Sequence, residues 1–291
     1  MEKVEGRHWD IEIHPPSGWL DIPFRDVWRY RDLLWMFVKR DFTAQYKQTI
    51  LGPLWHFIQP IFTTLVFLVV FTNIAQLSTD GIPPVLFYLS GITIWNYFSS
   101  CLTATSNTFV ANAGIFGKVY FPRLVMPLSI VVSNMVKFGI QFLLLIVVWI
   151  WYVLNPSSGT DVMISFSSYS VLVLPCIVLM MAGFGLGLGI IISSLTTKYR
   201  DLNVLIGFAV QLFMYATPVV YPLSSLKNES LKFWISMNPI SPLVEAFRYS
   251  VLGVGSFDLS SLIYSLSCMV VVLLIGLMIF SRVEKTFMDT V

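Results

Sequence analysis

Few side chains in this sequence could take part in catalysis or bind a metal ion. Its histidines and cysteines are His8, His14 and His56, and Cys101, Cys176 and Cys268. None stands at the spacing of a zinc site, and no histidine is paired with a nucleophile in a recognisable pattern. The cysteines lie in or beside apolar runs, where cysteine most often serves as a small packing residue. The sequence therefore predicts neither a catalytic centre nor a metal site.

Two glycine-rich strings also fail to predict a nucleotide site. Residues 114–119 lack the spacing of a Walker A loop and the Ser or Thr that would hold magnesium. Residues 183–189 carry glycine at every second position inside an apolar run, which is not the dinucleotide-binding fingerprint. Small residues four apart let membrane helices approach closely, and this is the role that we predict for them. We expect no cofactor on this chain.

Three ionisable residues lie within apolar stretches, where such groups are costly and often functional. Lys137 falls about a dozen residues into a long apolar run. It either contacts an anionic substrate or extends its long side chain back to the cytoplasmic membrane surface. Glu245 and Arg248 stand three residues apart, a helical spacing at which they pair with each other or, alternatively, line an exit on the outer side.

The elements that position these residues are predicted to be membrane helices. The chain has 291 residues, of which 56% are hydrophobic and 12% charged, and its mean hydropathy is +0.76. A typical soluble domain has about 25% charged residues. Runs long enough to span a bilayer cover residues 57–76, 85–109, 126–154, 170–195, 202–221 and 259–280. We therefore predict an all-α membrane protein whose region 53–291 contains six transmembrane helices.

The apolar stretch at residues 233–252 is too interrupted to span. It contains the pairs Asn238-Pro239 and Ser241-Pro242, and two charged residues. We interpret the region 222–258 as a pair of short re-entrant or surface helices before the last span. Its candidate exit residues are Asn238, Pro239, Glu245 and Arg248.

A different pattern precedes the first span. After a tail at residues 1–27, apolar residues recur at three- and four-residue spacing from Trp28 to Gln48, with charges between them. The pattern predicts an amphipathic helix in the cytoplasmic interface, ended by Gly52-Pro53, so that residues 28–52 form one unit. A helix of a soluble N-terminal domain is the alternative. The residues expected at the interface are Trp28, Arg31, Trp35, Lys39 and Arg40.

Cations predict the orientation of the spans. Eight Lys and Arg residues precede residue 50, and two more follow each of the second, fourth and sixth spans. The other side holds only Lys227, Lys232 and Arg248. Because cytoplasmic segments are enriched in cations, both termini are predicted to be cytoplasmic. The first fifty residues contain no apolar core of a signal peptide, in agreement with this orientation.

One cytoplasmic loop, residues 110–125, has the composition of a docking surface. Its basic and aromatic segment is Lys118, Val119, Tyr120, Phe121, Pro122 and Arg123. Two cations in so short a loop favour the cytoplasmic side, and aromatic anchors with a proline stop are unusual in a simple connector. We predict that another protein docks there.

Aromatic side chains are abundant, at 15% of the residues. Interface anchoring explains most Trp and Tyr residues in membrane proteins. A cluster within a span has less need of that role, and aromatic faces along a path suit the CH-rich faces of sugars. The candidates for lining such a path are Trp55, Trp95, Tyr97, Phe98, Lys137 and Tyr215.

An ordered series of short blocks resembles the permeases of type-2 ABC exporters, in the branch that exports O-antigen, capsule and teichoic acid polysaccharides. The blocks are residues 19–21, 30–35, 38–42, 46–55, 91–98, 118–123, 126–129, 199–202, 217–221 and 237–239, followed by Arg248. Each block is weak by itself, but together they cover nearly the whole chain in the right order.

The resemblance implies a half-transporter in the bacterial cytoplasmic membrane. It implies a homodimer with a canal at its interface, a lipid-linked polysaccharide as cargo, and two separate ATP-binding cassette subunits that bind ATP and magnesium. The loop at residues 118–123 would couple to the ATPase subunit, and the interfacial helix would contact that subunit too. Aromatic residues would line the canal, and region 222–258 would lie near its outer exit.

Two other classes of protein stay open. A permease for a small hydrophobic drug or lipid would share the spans, although the ordered blocks weigh against it. A membrane-embedded lipid-modifying enzyme would need a carboxylate or histidine constellation near one membrane face, and acidic residues are almost missing from the predicted spans. A net charge of +2 gives no reason to expect nucleic acid as a partner.

Overall fold

The computed structural model describes residues 24–47, 49–116, 118–119, 121–155, 170–196, 199, 201–253, 255 and 257–286. Within these residues the chain is helical and contains no strand. The α-helices are α1 (Phe24–Arg29), α2 (Arg31–Tyr46), α3 (Trp55–Phe67), α4 (Pro84–Ser106), α5 (Thr108–Phe116), α6 (Val125–Leu154), α7 (Ser170–Thr196), α8 (Leu202–Tyr215), α9 (Glu229–Met237), α10 (Ser241–Leu252) and α11 (Leu259–Thr286).

Five helical segments in the described residues are long and apolar enough to cross a membrane. They are α4, α6, most of α7 and α11, and α3 extended by a 3-10 turn before it and a π-helical turn, Leu68–Ile74, after it. The apolar helix α8 has only 14 residues. The all-α membrane class is confirmed, and the count of six spans stays a prediction.

The helices divide into an inner pair and an outer set. In α4 and α7, 78% and 67% of the most apolar 18-residue stretch of each helix is buried inside the subunit. The corresponding share is 17–28% for α3, α6 and α11. Helices α4 and α7 therefore form the centre of the bundle, and the outer helices leave apolar faces for lipid or for another protein chain.

Two boundaries differ from the sequence-based expectation, each for a local reason. The second span ends at Ser106, because Asn107 leaves helical geometry and its side chain bonds to the Thr103 carbonyl oxygen. The short helix α5 then starts in what was predicted to be the end of that span. Helix α8 stops at Tyr215, three residues before Pro218, which cannot continue the backbone hydrogen bonds.

The predicted interfacial helix at residues 28–52 is shorter and divided. Helix α1 is separated from α2 at Tyr30, and α2 ends at Tyr46 because Lys47 is extended. Gly52 adopts a positive φ of 47° and starts the 3-10 turn that leads into α3. Residues 1–23 of the tail lie outside the described residues.

The glycine string of α7 has the packing role predicted for it. A Cβ atom on Gly185 or Gly189 would stand 2.6 Å from Cys101 or Thr105 of α4. Gly183 and Gly187 instead face α11, where the backbone of Gly276 approaches Gly187. Alternate glycines thus give α7 two opposite faces without side chains, and α4 and α11 pack against them at close range.

The helix ends gather into two opposite groups, as expected for helices that alternate in direction. One apolar cluster joins the C-terminal halves of α7 and α11 with α5 and the first turn of α6. Thr196 at the end of α7 donates a hydrogen bond to the carbonyl oxygen of Ser106 at the end of α4. The loops after α8 and the helices α9 and α10 belong to the other end.

Gly185→Ala and Gly276→Ala are expected to destabilise the subunit. The new methyl group would lie 2.6 Å from Cβ of Cys101 in the first variant and 2.8 Å from the Gly187 carbonyl oxygen in the second. Overpacking of this kind costs about 1–3 kcal/mol. The change in stability is measured by heating the purified protein in detergent and determining the folded fraction at each temperature by size-exclusion chromatography.

Gly139→Ala is the matched control, because no atom lies within 4 Å of the added methyl group in α6. It should unfold at the wild-type temperature or slightly above it, since alanine has the higher helix propensity. Equal unfolding temperatures for all three variants would contradict the close packing of α7.

Candidate coupling and translocation site

The predicted coupling loop is fastened to the bundle by Phe121. This side chain is 4% exposed and lies in a row of five aromatic rings. Its ring centroid is 5.7 Å from that of Phe37 in α2 and 5.8 Å from that of Phe116 in α5. Phe116 contacts Phe109 at 6.0 Å, and Phe109 stacks on Phe280 of α11 at 5.0 Å. We call these five residues the coupling cluster.

The other described residues of the loop are more exposed than Phe121, to different extents. Lys118 and Val119 are exposed, and both backbone N–H groups bond to the Ile115 carbonyl oxygen in a turn that ends α5. Pro122 and Arg123 are half-buried, with the Arg123 guanidinium 5.8 Å from the ring centroid of Phe116. The loop therefore has an anchored side and a free tip.

Tyr120, also predicted to take part in coupling, lies outside the described residues. Its role stays a prediction, like the roles of the other five residues.

The interfacial helix is amphipathic in the structure. Phe37 and Val38 of α2 are buried, and α2 packs along α6. The predicted interface residues Trp28, Arg31, Trp35, Lys39 and Arg40 are all exposed. Trp28 and Trp35 expose 73% and 61% of their surface, which is unfavourable in water and favourable among lipid headgroups.

Lys137 lies beside this helix and not in the middle of an isolated span. Its electrostatic neighbours include Asp41 of α2. His56, in the first turn of α3, also interacts electrostatically with Lys137. The side chain is half-buried where α2, α3 and α6 pack together. Its contact with an anionic substrate and its reach to the membrane surface both stay predictions.

The aromatic candidates for lining a canal fall into two groups. Trp95, Tyr97 and Phe98 are 0–3% exposed and pack inside the subunit. Trp95 and Phe98 contact Phe213 of α8 at 5.9 and 6.4 Å, and Tyr97 contacts Phe138 at 5.1 Å. In this conformation these rings join α4 to its neighbours and leave no face for a ligand.

Trp55 and Tyr215 form the second group, with 52% and 47% of their surface exposed. They lie at the start of α3 and at the end of α8, on helices that each expose a row of apolar side chains. A path between two subunits would therefore be lined by α3 and α8 more readily than by the buried face of α4.

Arg248 organises the opposite end of the bundle. It is 2% exposed and pairs with Glu245 at 3.3 Å, the pairing that the sequence spacing suggested. Its Nη2 also donates to the Pro218 and Val219 carbonyl oxygens at 3.0 and 3.2 Å, and its guanidinium lies 3.9 Å from the Phe87 ring centroid. One side chain thus joins α10 to the loop after α8 and to α4.

The absence of a side chain at Gly91 allows this contact. A Cβ atom there would stand 2.7 Å from the Val219 carbonyl oxygen and 3.3 Å from Nη2 of Arg248. Gly91 therefore lets the loop approach α4 closely enough for the arginine to reach both.

Asn238 fixes the joint between the two short helices. Its Nδ2 donates to the Ala216 carbonyl oxygen and to Oγ1 of Thr217, and its Oδ1 accepts from the backbone N–H of Ile240. The half-buried Pro239 follows it in the turn. Helices α9 and α10 have 9 and 12 residues and cannot span a bilayer.

Asp258 caps the helix that follows these two. Hydrogen bonds from the hydroxyl and N–H groups of Ser260 and Ser261 lower the pKa of this carboxyl to about 2. It therefore stays ionised at the start of α11, where a negative charge is favourable.

Several residues that organise these ends were missed by sequence reasoning. Phe116 and Phe280 of the coupling cluster, and Phe87 and Gly91 beside Arg248, sit in continuous apolar runs whose pattern does not show which residues meet. A glycine inside a predicted span was the available signal for Gly91. In the described residues, no group of three potential metal ligands exists.

The comparison with protein families agrees with this arrangement. A model of the family described as "ABC-2 type transporter" matches residues 32–252 of the chain. The chain belongs to this family. It is therefore a multi-pass membrane component of a transporter and not an enzyme.

Curated relatives cover most of the chain and most of their own length. The chain is 29% identical over 225 residues to the O-antigen export system permease protein RfbA of Myxococcus xanthus, covering 77% of this chain and 82% of the relative. A protein of the same name from Klebsiella pneumoniae is 27% identical, with coverage of 89% and 94%. The capsule polysaccharide export inner-membrane protein CtrC of Neisseria meningitidis is 24% identical, with coverage of 84% and 89%.

Arg248→Ala is expected to destabilise the subunit strongly. The change removes the guanidinium from Glu245, which is 6% exposed, and from two carbonyl oxygens. Removal of one partner of a buried ion pair costs about 3–5 kcal/mol. Urea unfolding of the purified protein in detergent micelles measures the difference.

Two further variants sharpen this test. Lys232→Ala removes an exposed cation from α9 and should change stability by less than about 0.5 kcal/mol. The pair Arg248→Met with Glu245→Gln should recover part of the loss, because no buried charge then lacks its partner. An Arg248→Ala variant as stable as Lys232→Ala would show that this contact does not hold that end of the bundle together.

Proposed function

We propose that this chain is the membrane subunit of an ABC exporter that carries a lipid-linked polysaccharide of the O-antigen type across the bacterial cytoplasmic membrane. The main support for the proposal is the extent of the sequence similarity to polysaccharide export proteins. Two O-antigen export permeases and a capsule export protein align with 77–89% of this chain. The family match spans residues 32–252 and therefore includes residues 118–123 and Arg248 as well as the apolar helices.

The energy for export would come from two ATP-binding cassette subunits at the cytoplasmic end. These subunits would bind ATP and magnesium, for which this sequence has no motif. The exposed tip at Lys118 and Val119 is available to a partner, while Phe121 connects the same loop to α2, α5 and α11. A push on the tip would therefore reach several helices at once, because the packed rings move as a unit.

A second copy of this chain would complete the canal. The exposed apolar faces of α3 and α8 include Phe62, Val66, Val204 and Phe208. Since most of the aromatic side chains of α4 are buried, the surface between two copies offers the better path for a glycan. Trp55 and Tyr215 would meet the cargo at the two ends of this path.

The orientation follows from the charges and from the alternation of the helices. We place the coupling cluster, the interfacial helix and both termini in the cytoplasm, and α9 and α10 on the outer side. The exposed cations Lys118, Lys39 and Arg40 lie at the end assigned to the cytoplasm, in accord with the positive-inside rule.

Loss of this chain should abolish surface polysaccharide and cause lipid-linked polysaccharide to accumulate in the cell. A gene deletion complemented with the wild-type chain should restore export. Complementation with Lys118→Glu plus Val119→Ala should not, because the exposed tip would have the opposite charge and less apolar surface for the ATPase subunit. Surface immunoblotting and co-purification with the cognate ATPase subunit measure export and assembly.

Lys227→Glu is the matched control, since it reverses an exposed lysine in the segment before α9, at the opposite end. It should retain export and ATPase binding. Normal surface polysaccharide in the deletion strain would overturn the proposed function. Normal export by the loop variant alone would overturn only the role of the tip.

A further inference from the structure

A small polar cavity lies at the end of the bundle opposite the coupling cluster. Its volume is about 80 Å³, and α9, α10 and the start of α11 contribute to its wall. The polar side chains that line it are Ser236, Ser241, Glu245, Asp258 and Ser261. We call the space between these five residues the outer cavity. The described residues of its wall include no Lys, Arg or His, so its formal charge comes from carboxylates.

The two carboxylates belong to different helices that the loop before α11 brings together. Oε1 of Glu245, in α10, accepts a hydrogen bond from Arg248 at 3.3 Å. A Cβ atom on Gly255 would stand 3.7 Å from Oε2 of Glu245, so the loop passes beside this carboxylate. The loop leads to Asp258, the ionised cap of α11. Because a carboxylate has about four lone-pair sites, both groups can also accept from a ligand.

Negative charge exceeds positive charge around the outer cavity. One buried guanidinium offsets one of the two carboxylates. A third carboxylate, that of Asp80, lies nearby, because both of its oxygens accept from the Ser224 hydroxyl at 2.7 Å. Ser224 follows Leu223, which also lines the cavity. The lysines Lys227 and Lys232 are exposed and do not line it. The charges therefore favour a cationic ligand over an anion.

The hydrogen-bond donors of the cavity wall are largely used within the chain. Ser236 donates its hydroxyl to a backbone carbonyl oxygen of α9, and Ser261 donates its hydroxyl and its N–H to Asp258. At the start of α10, the N–H of Ser241 bonds to a backbone carbonyl oxygen, and Pro242 has no N–H. The wall therefore offers mainly lone pairs, which suit a ligand that donates hydrogen bonds.

The hydroxyl of Ser241 is an independent sign that the cavity receives a polar ligand. This residue is 0% exposed, and within the part of the chain that the structure describes its Oγ has no hydrogen-bond partner. A buried hydroxyl without a partner is unfavourable. Ser241 and Glu245 stand four residues apart on one face of α10, so a ligand that contacts the carboxylate can also bond to this hydroxyl.

A primary ammonium group fits this set of acceptors. It has one positive charge, three N–H donors and no acceptor. Ser241, Glu245 and Asp258 supply an acceptor for each N–H group. A calcium ion would need six to eight oxygen ligands. Here one carboxylate is paired with a guanidinium and the other already accepts from two serines, so the ammonium group is the better match.

The surroundings of the outer cavity indicate that the ammonium group belongs to a lipid. Helix α11 is long and apolar enough to cross a membrane and begins at Leu259, so the cavity lies at a membrane surface. Helix α9 lies beside the first turns of α11, since Tyr264 donates to the Met237 carbonyl oxygen at 2.8 Å. Phe233 and Trp234 of α9 are exposed, a state favoured among lipid headgroups and acyl chains.

We propose that Ser241, Glu245 and Asp258 bind the primary ammonium group of a phospholipid headgroup, with Phe233 and Trp234 against its acyl chains. The ligand contacts α10 and the cap of α11 through its headgroup and α9 through its apolar part, and so joins the three helices. This inference goes beyond the proposed export of a polysaccharide and does not depend on the identity of the cargo.

Native mass spectrometry of the purified full-length chain with two competing lipids tests the inference. The probes are phosphatidylethanolamine and phosphatidylcholine with identical acyl chains, offered at equal concentration. Their headgroups differ in the N–H donors, which phosphatidylcholine lacks. Wild type should carry about tenfold more phosphatidylethanolamine than phosphatidylcholine, as expected for charge-assisted hydrogen bonds.

Ser241→Ala and Asp258→Asn should each reduce this preference to about twofold or less, since each removes one of the acceptors. The alanine variant removes a hydroxyl that has no partner among the described residues, so a purely structural role would leave the lipid preference unchanged. Asparagine also caps helices, so the second variant retains the start of α11.

Ser129→Ala and Glu229→Gln are the matched controls and should keep the wild-type preference. Ser129 is a buried serine at the other end of the bundle, where its hydroxyl bonds to the Met126 carbonyl oxygen. Glu229 is an exposed carboxylate of α9 that does not line the cavity. Thermal unfolding shows whether each variant is folded, and Ser241→Ala keeps the test decisive if Asp258→Asn is unstable.

Equal binding of the two lipids by wild type, or an unchanged preference in both cavity variants, would overturn the inference. Two competitors test the alternative ligands. Free ethanolamine that displaces phosphatidylethanolamine at equal concentration would overturn the assignment to a lipid. Calcium chloride that displaces it at equal concentration, with calcium retained on the chain, would overturn the assignment to an ammonium group.

Discussion

The packing of Phe121 between Phe37 and Phe116 is the interaction on which the account depends. It joins a loop with an exposed tip to the interfacial helix on one side and, through Phe109 and Phe280, to the last long helix on the other. Rings in contact over most of their surface cannot move independently without loss of dispersion and hydrophobic energy. A displacement of the loop therefore becomes a displacement of several helices.

The bundle can transmit such a displacement because its centre is closely packed. Helix α7 contacts α4 and α11 through glycines that leave no room for side chains. At the far end, Arg248 connects α10, the loop after α8 and α4 through one guanidinium. Helices α3 and α8 lie at the edge of the bundle and expose rows of apolar side chains. The two ends of the bundle are thus joined by the central helices α4 and α7.

Much of this architecture could be predicted from the sequence, because membrane helices are fixed by length and apolarity. The all-helical class, the amphipathic character of α2 and the spacing role of the α7 glycines followed from local patterns. Which aromatic residues meet did not, because residues 85–109 are apolar on nearly every face. Trp95, Tyr97 and Phe98 were candidates for a canal, yet they are buried in a single subunit. Lys137 was ambiguous for the same reason, since α2 and α3, which pack against its helix, are distant from it in sequence.

The central claim is tested most directly by Phe121→Ala in the assembled transporter, with Phe121→Leu as a control that keeps a large apolar side chain at this position. Polysaccharide exported per ATP hydrolysed is measured in proteoliposomes that contain both subunits. We predict that the alanine variant binds the ATPase subunit and hydrolyses ATP but exports about tenfold less per ATP, a loss typical of coupling between two sites. The leucine variant should retain most export. A folded alanine variant with the wild-type ratio would contradict the account.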